Sequence, residues 1–413
     1  MNPIIKKIIV VAGVVGVILL AVWLVWYFFF SHGPGAPTQT SVPFGTSGGG
    51  TTDLGGGVPA SQSSGGPGVV PAQSTKQKIF KIADGPVAGA TFIQTQNPTT
   101  TIARWAMADN GHMFDLPVDT PGAVARAVSN TTIPGLAAAL WGALGSVVVL
   151  EYLDGQVVKT VYVGLPATSS LQTAAHIQFL PDNITSVVLS PDGKNILYLL
   201  ASAGGTSAFV ANADGSNQKK LFSLPLAQLV VSWPSPNVLL VQTKAAAGVP
   251  GMIFSVPVKT GVAEPLVYAP GITALGNPTF SKVLYQTTVA GASARTTYSH
   301  DVPSGKDAAL SFQPIPEKCR WSNLSAVILY CASPLAYVPA NYLDLWHQGT
   351  ASAADGIFGF NTATGATLLI ASPGGQDGGV QADIAQVAVS PDERYLLYIT
   401  KGDRSLWGVR LAQ

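Results

Sequence analysis

The strongest pattern in the chain is a pair of apolar runs parted by a short polar turn. It reads VVLSPDGKNILYLL at residues 187–200 and returns as VAVSPDERYLLYIT at residues 387–400. Each copy predicts strand, tight turn, strand. In the first copy the turn is Ser190-Pro191-Asp192-Gly193. Ser can bond back to the backbone, Pro presets φ at the second position, Asp suits the third, and Gly accepts positive φ at the end. In the second copy Ser390, Pro391 and Asp392 recur, with Glu393 in the glycine position. The flanking runs are rich in β-branched residues, Leu and Tyr. They are continuously apolar rather than alternating, which predicts sheets covered on both faces.

The same hairpin recurs in weaker form. Its second strand is read in IARWAM around Ala103, VVVLEY around Val148, NILYLL around Leu197, NVLLVQ around Leu239, KVLYQT around Leu284, AVILYC around Leu329 and RYLLYI around Leu397. The first strands often end on turn residues or tryptophan: Trp141, Ser190, Trp233, Asn277, Trp321 and Ser390. A third strand and a second turn follow, clearest in AFVANADGSNQKKLF at residues 208–222, where Asp214-Gly215 makes the turn. Thr260-Gly261 and Thr364-Gly365 mark the same place in other units. Four short strands per unit of about 45 residues is the spacing of a propeller blade. A helical reading fails, because Gly and Pro recur too often for long segments of 3.6-residue period. The chain is therefore predicted to be all-β, a seven-bladed β-propeller with four-stranded blades over residues 76–413. The last unit, residues 384–411, has room for three strands. QKIFKI at residues 77–82 can supply the fourth, closing the ring and removing exposed sheet edges.

The amino terminus carries a different pattern. Residues 8–30 hold no charge, a run long enough to span a hydrocarbon core of roughly 30 Å as a helix. Lys6 and Lys7 precede it, and no Lys or Arg follows until Lys76. The positive-inside rule puts the amino terminus in the cytoplasm and the rest outside, as a single-pass protein of the cell membrane. Trp23, Trp26 and Tyr27 suit the outer interface. The competing reading is a cleaved signal peptide, which usually has a shorter apolar run ending at small residues. Residues 1–30 are thus read as a cytoplasmic stub and transmembrane helix. Residues 31–75, rich in Gly, Pro, Ser and Thr, form a disordered linker with no capacity to bury a core.

LSPDGKNILYLL followed by VANADGSNQKKLF resembles the repeat of TolB-like β-propellers, whose blades read SPDG, an apolar strand, then D-x-DG-S-N and a basic-Leu pair. VSPDERYLLYITKGDRSLWGVRL is a looser match. The resemblance covers the array only. The family's usual extra domain is replaced here by the anchor and linker, so a Tol–Pal role does not carry over. The resemblance implies an extracytoplasmic propeller that binds proteins or other ligands through its loops or central channel.

Composition narrows the partners. The chain has 413 residues, 47% hydrophobic and only 10% charged, with 22 basic against 21 acidic side chains and a net charge of +1. That balance argues against nucleic acid and against strong electrostatic steering. Cys319 and Cys331 flank one hairpin, CRWSNLSAVILYC. They could face each other across neighbouring strands and form a disulfide outside the cell, or remain two buried thiols.

The long sixth unit carries PLAYVPANYLDLWHQGTASAADG, and Tyr342, Asp344, Trp346 and His347 sit together in it. Propeller insertions map to loops on one face, often the binding face. An exposed group of this kind suits sugar stacking or a protein hot spot. The same stretch also fits a loop folded back to cap its blade with the aromatics buried. Catalysis finds no motif: the five histidines are scattered, no G-x-S-x-G elbow is present, and the Asp residues of SPDG and DADG read as turn formers. No cofactor and no metal are implied.

The sequence thus predicts an anchored, non-enzymatic module that binds a protein or other ligand of the cell envelope. Two alternatives stand beside it. One is a propeller hydrolase or lyase acting on glycan through acids at the channel mouth. The other is a sensor or assembly subunit of a membrane complex.

Overall fold

Seven four-stranded antiparallel sheets follow one another along the chain. The computed structural model describes residues 77–95, 99–129, 131–142, 145–165, 176–288 and 295–411. All of these lie in the second of the two units into which the chain divides, Ser64–Gln413. The predicted anchor, residues 8–30, and linker, residues 31–75, fall outside the described residues. Among the described residues no helix is long and apolar enough to cross a membrane.

Blade 1 begins with Val87–Gln94, blade 2 with Leu136–Trp141, blade 3 with Ile184–Leu189 and blade 4 with Leu229–Ser235. Blades 5, 6 and 7 begin with Thr273–Gly276, Cys319–Trp321 and Ile384–Val389. All seven second strands read from the sequence are present, among them Thr101–Met107, Asn195–Ser202 and Tyr395–Thr400. Blade 7 is made from both ends of the array. Its outermost strand is Ile79–Ala83, which pairs antiparallel with Leu406–Arg410. The first strands of neighbouring blades touch around the ring, that of blade 5 meeting the turn Pro316–Lys318 ahead of blade 6, and that of blade 7 meets that of blade 1, which closes the circle.

The core is divided into layers between neighbouring blades. Phe80, Ile82, Leu397 and Leu406 of blade 7 pack on Phe92, Ala103 and Trp105 of blade 1. Leu197, Leu199 and Phe222 of blade 3 pack on Val231, Trp233 and Leu239 of blade 4. Every blade therefore buries both faces, the physical reason its strands are apolar without alternation. Tryptophans at the ends of first strands also tie blades together. Trp141 Nε1 donates to the carbonyl of Gly89 at 3.1 Å, and Trp321 Nε1 to that of Leu275 at 3.1 Å.

The connections fall on two faces. One face carries the turns between first and second strands, including Ser190–Gly193 and its counterpart at Ser390. The opposite face carries the turns between second and third strands. There the sixth blade inserts residues 335–354 between Ile328–Pro334 and Asp355–Asn361, including one short helix, α1 (Tyr342–His347).

Candidate functional site: a capped channel mouth

The first two strands of each blade fix the two faces, and their turns behave differently. In blade 3, Ser190 Oγ donates to Asp192 Oδ1 at 2.6 Å and accepts from the Asn195 N–H at 2.9 Å. The Lys194 N–H donates to the same Asp192 oxygen at 3.1 Å. The hydrogen bond from Ser190 holds the Asp192 carboxyl below its ordinary pKa. Asp214 is lowered in the same way, first by Ser216. Gly193 takes φ +71°. These carboxylates are spent on their own loops.

Blade 7 repeats the arrangement and adds to it. Ser390 Oγ donates to Asp392 Oδ1 at 2.6 Å, while Asp392 Oδ2 accepts from Thr101 of blade 1 at 3.3 Å. Glu393 adopts φ +55°, the conformation glycine has in blade 3. Its carboxylate accepts from Ser322 Oγ at 2.6 Å, the Leu324 N–H at 3.1 Å and the Tyr330 hydroxyl at 2.9 Å. The departure from the repeat thus ties blade 7 to blade 6.

On the opposite face the insertion crosses the ring. Asp344 Oδ2 accepts from the Ala247 N–H of blade 4 at 2.8 Å. His347 Nε2 lies 2.8 Å from Glu317 Oε2, just ahead of blade 6. Tyr342, Leu343 and Trp346 pack on Ile315 and Val338, with Ala245 of blade 4 and Ala385 of blade 7 against them. A segment that touches blades 4, 6 and 7 of a seven-blade ring lies over the channel mouth.

Beneath α1 is a buried charge cluster. Lys318 Nζ donates to Asp355 Oδ2 at 2.8 Å and to Asp383 Oδ1 at 2.6 Å. Trp346 Nε1 donates to both oxygens of Asp383 at 2.9 Å. The Ile384 N–H donates to Asp355 Oδ2 at 2.8 Å. Lys318 is wholly buried and Asp355 is 1% exposed. Burial pushes the Asp355 carboxyl up to about 6, against the pull of Lys318. Among the described residues, Asp355 Oδ1 and the Tyr342 hydroxyl have no hydrogen-bond partner.

The four predicted residues are divided by this geometry. Tyr342 and Trp346 are buried, as in the second of the two arrangements the sequence allowed, a loop folded back with its aromatics inward. The Trp346 ring lies 5.0 Å from the Lys318 ammonium and 4.4 Å from that of Lys401, so two cations occupy it. Asp344 is half-buried in its bond to blade 4, and only His347 is exposed. The insertion folds back with its aromatics inward, and it covers the channel rather than its own blade. Cys319 and Cys331 face each other across the first two strands of blade 6 and are joined as a disulfide.

Beside α1 is an open cleft of about 370 Å³. It is lined by Val87 and Ala88 of blade 1, Trp346 and His347 of the cap, and Ala385, Gln386, Thr400, Lys401 and Arg404 of blade 7. Lys401 Nζ donates to the carbonyls of Trp346 and Ala351. Arg404 Nε donates to the Val87 carbonyl at 3.0 Å and its Nη2 to that of Ala137 at 3.1 Å. Burial lowers the pKa of both side chains, with Asp383 opposing it at Lys401. Sequence reasoning missed Lys318, Asp355, Asp383, Lys401 and Arg404. Lys401-Gly402-Asp403-Arg404 has the appearance of a solvated turn, and its only signal was two cations so close together. Among the described residues no group of three or more His, Cys, Asp and Glu is arranged to hold a metal.

No protein-family model matches the chain, and no curated protein sequence matches it. Solved structures do. An oligogalacturonate lyase in complex with manganese superposes with TM-score 0.53 at 11% identity, covering 84% of this chain and 96% of that one. The oligogalacturonate lyase of Vibrio parahaemolyticus gives TM-score 0.53 at 10% identity, over 84% and 97%. The tricorn protease gives TM-score 0.50 at 7% identity, over 82% of this chain and 34% of that one. At these identities the likeness is one of fold: the chain is a seven-bladed, four-stranded β-propeller.

Proposed function

We propose that the protein is a propeller held outside the cell by residues 8–30, with residues 31–75 as spacer, and that it binds an envelope ligand at the capped channel mouth. The observation that carries this reading is the insertion. It crosses from blade 6 to blades 4 and 7 and leaves a cleft of about 370 Å³ walled by residues from three parts of the ring. A volume of that order suits a small ligand or one unit of a larger one. The TolB-like repeat in blades 3 and 7 supports an extracytoplasmic binding role. Protease added to intact cells stripped of outer layers is expected to remove residues 76–413. Full protection would overturn the topology. A glycan panel screened against the full chain is expected to yield binding that Trp346→Ala weakens at least tenfold. Binding that is indifferent to the cap would overturn the site.

A second reading, an enzyme acting on glycan, draws on one observation. Asp355 and Asp383 converge with Lys318 at the channel mouth. Two of the structural neighbours are named as lyases of an acidic oligosaccharide. Both carboxylates are sealed under Trp346, so chemistry there requires the cap to lift. Unsaturated product formed from oligogalacturonate, and lost in Asp383→Asn, would favour this reading.

A further inference from the structure

Several of the ionisable groups inside this propeller are paired. Arg104 makes a two-pronged ion pair with Asp115, at 2.7 and 2.6 Å, with both side chains buried. Lys318 holds two carboxylates. His347, at the cleft's edge, faces Glu317. Lys401 and Arg404 line the same cleft, and no carboxylate is among its lining residues. Among the described residues neither makes an ion pair within 4.0 Å. Asp383, whose charge acts on Lys401, is engaged by Lys318 and by the Trp346 indole.

Withdrawing a cation from water without an anion beside it is costly, and proteins seldom do it without a use. Here both cations are held in place. Lys401 is tied to two carbonyls of the cap and lies over the Trp346 ring. Arg404 commits Nε and Nη2 to main-chain carbonyls of blades 1 and 2, which leaves Nη1 for another partner. Arg404 itself sits at φ +55°, in the left-handed region that a non-glycine residue seldom adopts. Gln386 and Thr400 supply further polar groups, and Val87, Ala88 and Ala385 an apolar wall.

We propose that the cleft is an anion subsite, in which Lys401 and Arg404 hold a carboxylate or phosphate group of a small ligand whose body rests on the apolar wall. This rests on the cleft reading given above and adds the charge of the ligand to it. The arms of the test separate a carboxylate from a phosphate. Calorimetry on the full chain would use D-galacturonate, inorganic phosphate and, as the uncharged ring, D-galactose. One of the two anions is expected to bind and galactose not to bind. Lys401→Met is expected to weaken that binding at least tenfold, and Arg404→Gln to do the same. Lys220→Met, on an exposed strand of blade 3, should leave it unchanged. Because Arg404 also braces two blades, acetylation of Lys401 followed by mass spectrometry gives a readout on the unmutated chain. The bound anion should slow modification of Lys401 and leave that of Lys220 alone. Galactose binding as tightly as galacturonate would overturn the anion assignment while keeping the cleft as a ligand site. Failure of both anions to bind, or binding indifferent to Lys401 and Arg404, would overturn the proposal itself.

Discussion

The two faces of the propeller solve the same problem, how to finish a sheet, by opposite means. On the turn face the blade 3 loop satisfies itself. Ser190, Asp192, Lys194 and Asn195 bond to one another across two to five residues of chain. On the capped face the partners are remote: Lys318 reaches Asp355 and Asp383 over 37 and 65 residues, and Asp344 reaches Ala247 over 97. The first arrangement is replaceable turn by turn, whereas the second fails as a unit. The largest effect should therefore follow from removing Lys318. Lys318→Met leaves two buried carboxylates facing each other, which should cost about 3–5 kcal/mol in urea unfolding of the full chain. Replacing Lys318, Asp355 and Asp383 together by apolar residues should cost less than Lys318→Met alone, because no buried charge is then left unpaired. A triple variant weaker than the single one would mean that the cluster stabilises the cap by more than mutual neutralisation.

The pH dependence sharpens the same contrast. Asp355 is held at about 6 by burial, above the ordinary carboxyl value of about 4. The folded state thus binds its proton more tightly than the unfolded chain does. The resulting stabilisation is fully present below about pH 4 and is lost as pH rises through about 6, an effect of about 2–3 kcal/mol. Asp355→Asn should therefore gain on the wild type between pH 4 and 6. The turn carboxylates behave in the reverse sense. Asp192 lies below its ordinary pKa, so its contribution is lost as pH falls. Unfolding of Asp355→Asn that runs parallel to wild type across pH 4–6 would remove Asp355 as a titrating group of the cap.

Legibility from sequence follows the same division. Blade count, hairpin order and the closing strand at Ile79–Ala83 were readable because each depends on local turn chemistry or on runs of apolar residues. The cap was readable only as an insertion containing Tyr342, Asp344, Trp346 and His347. Whether Trp346 faces water depends on Asp383 and Lys401, which lie 37 and 55 residues away along the chain and carry no motif. Lys318 sits beside Cys319 and looks like any lysine ahead of a strand. Its burial arises only when the third strand of blade 6 and the approach to blade 7 bring carboxylates to it.

Glu393 stands between the two cases, a turn residue with remote partners. Glu393→Gly should relieve a left-handed backbone but lose its bonds to Ser322, Leu324 and Tyr330. A hydrogen bond to a charged group contributes about 1.5–3 kcal/mol, against about 1 kcal/mol recovered from strain, so a net loss of about 2 kcal/mol is expected. Glu393→Ala keeps the strain and should be the less stable of the two. If Glu393→Gly were as stable as wild type, the tie between blades 6 and 7 would contribute nothing.

Ser190→Ala should have the smallest effect and tests the self-contained turn most directly. It deletes one donor to Asp192 and one acceptor for the Asn195 N–H. The Gly193 N–H keeps its bond to the Ser190 carbonyl at 2.8 Å, so the main-chain turn survives. The loss should be about 1 kcal/mol. Because the Ser190 hydroxyl lowers the Asp192 pKa, that carboxyl should titrate higher in the variant, which carbon-detected NMR can follow. Ser390→Ala removes the equivalent bonds, yet its Asp392 also accepts from Thr101 of blade 1. The two serines should therefore differ in coupling rather than in size. A double-mutant cycle with Thr101→Ala should show interaction for Ser390 and none for Ser190. Equal coupling at both would mean that the turn face, too, works as a unit.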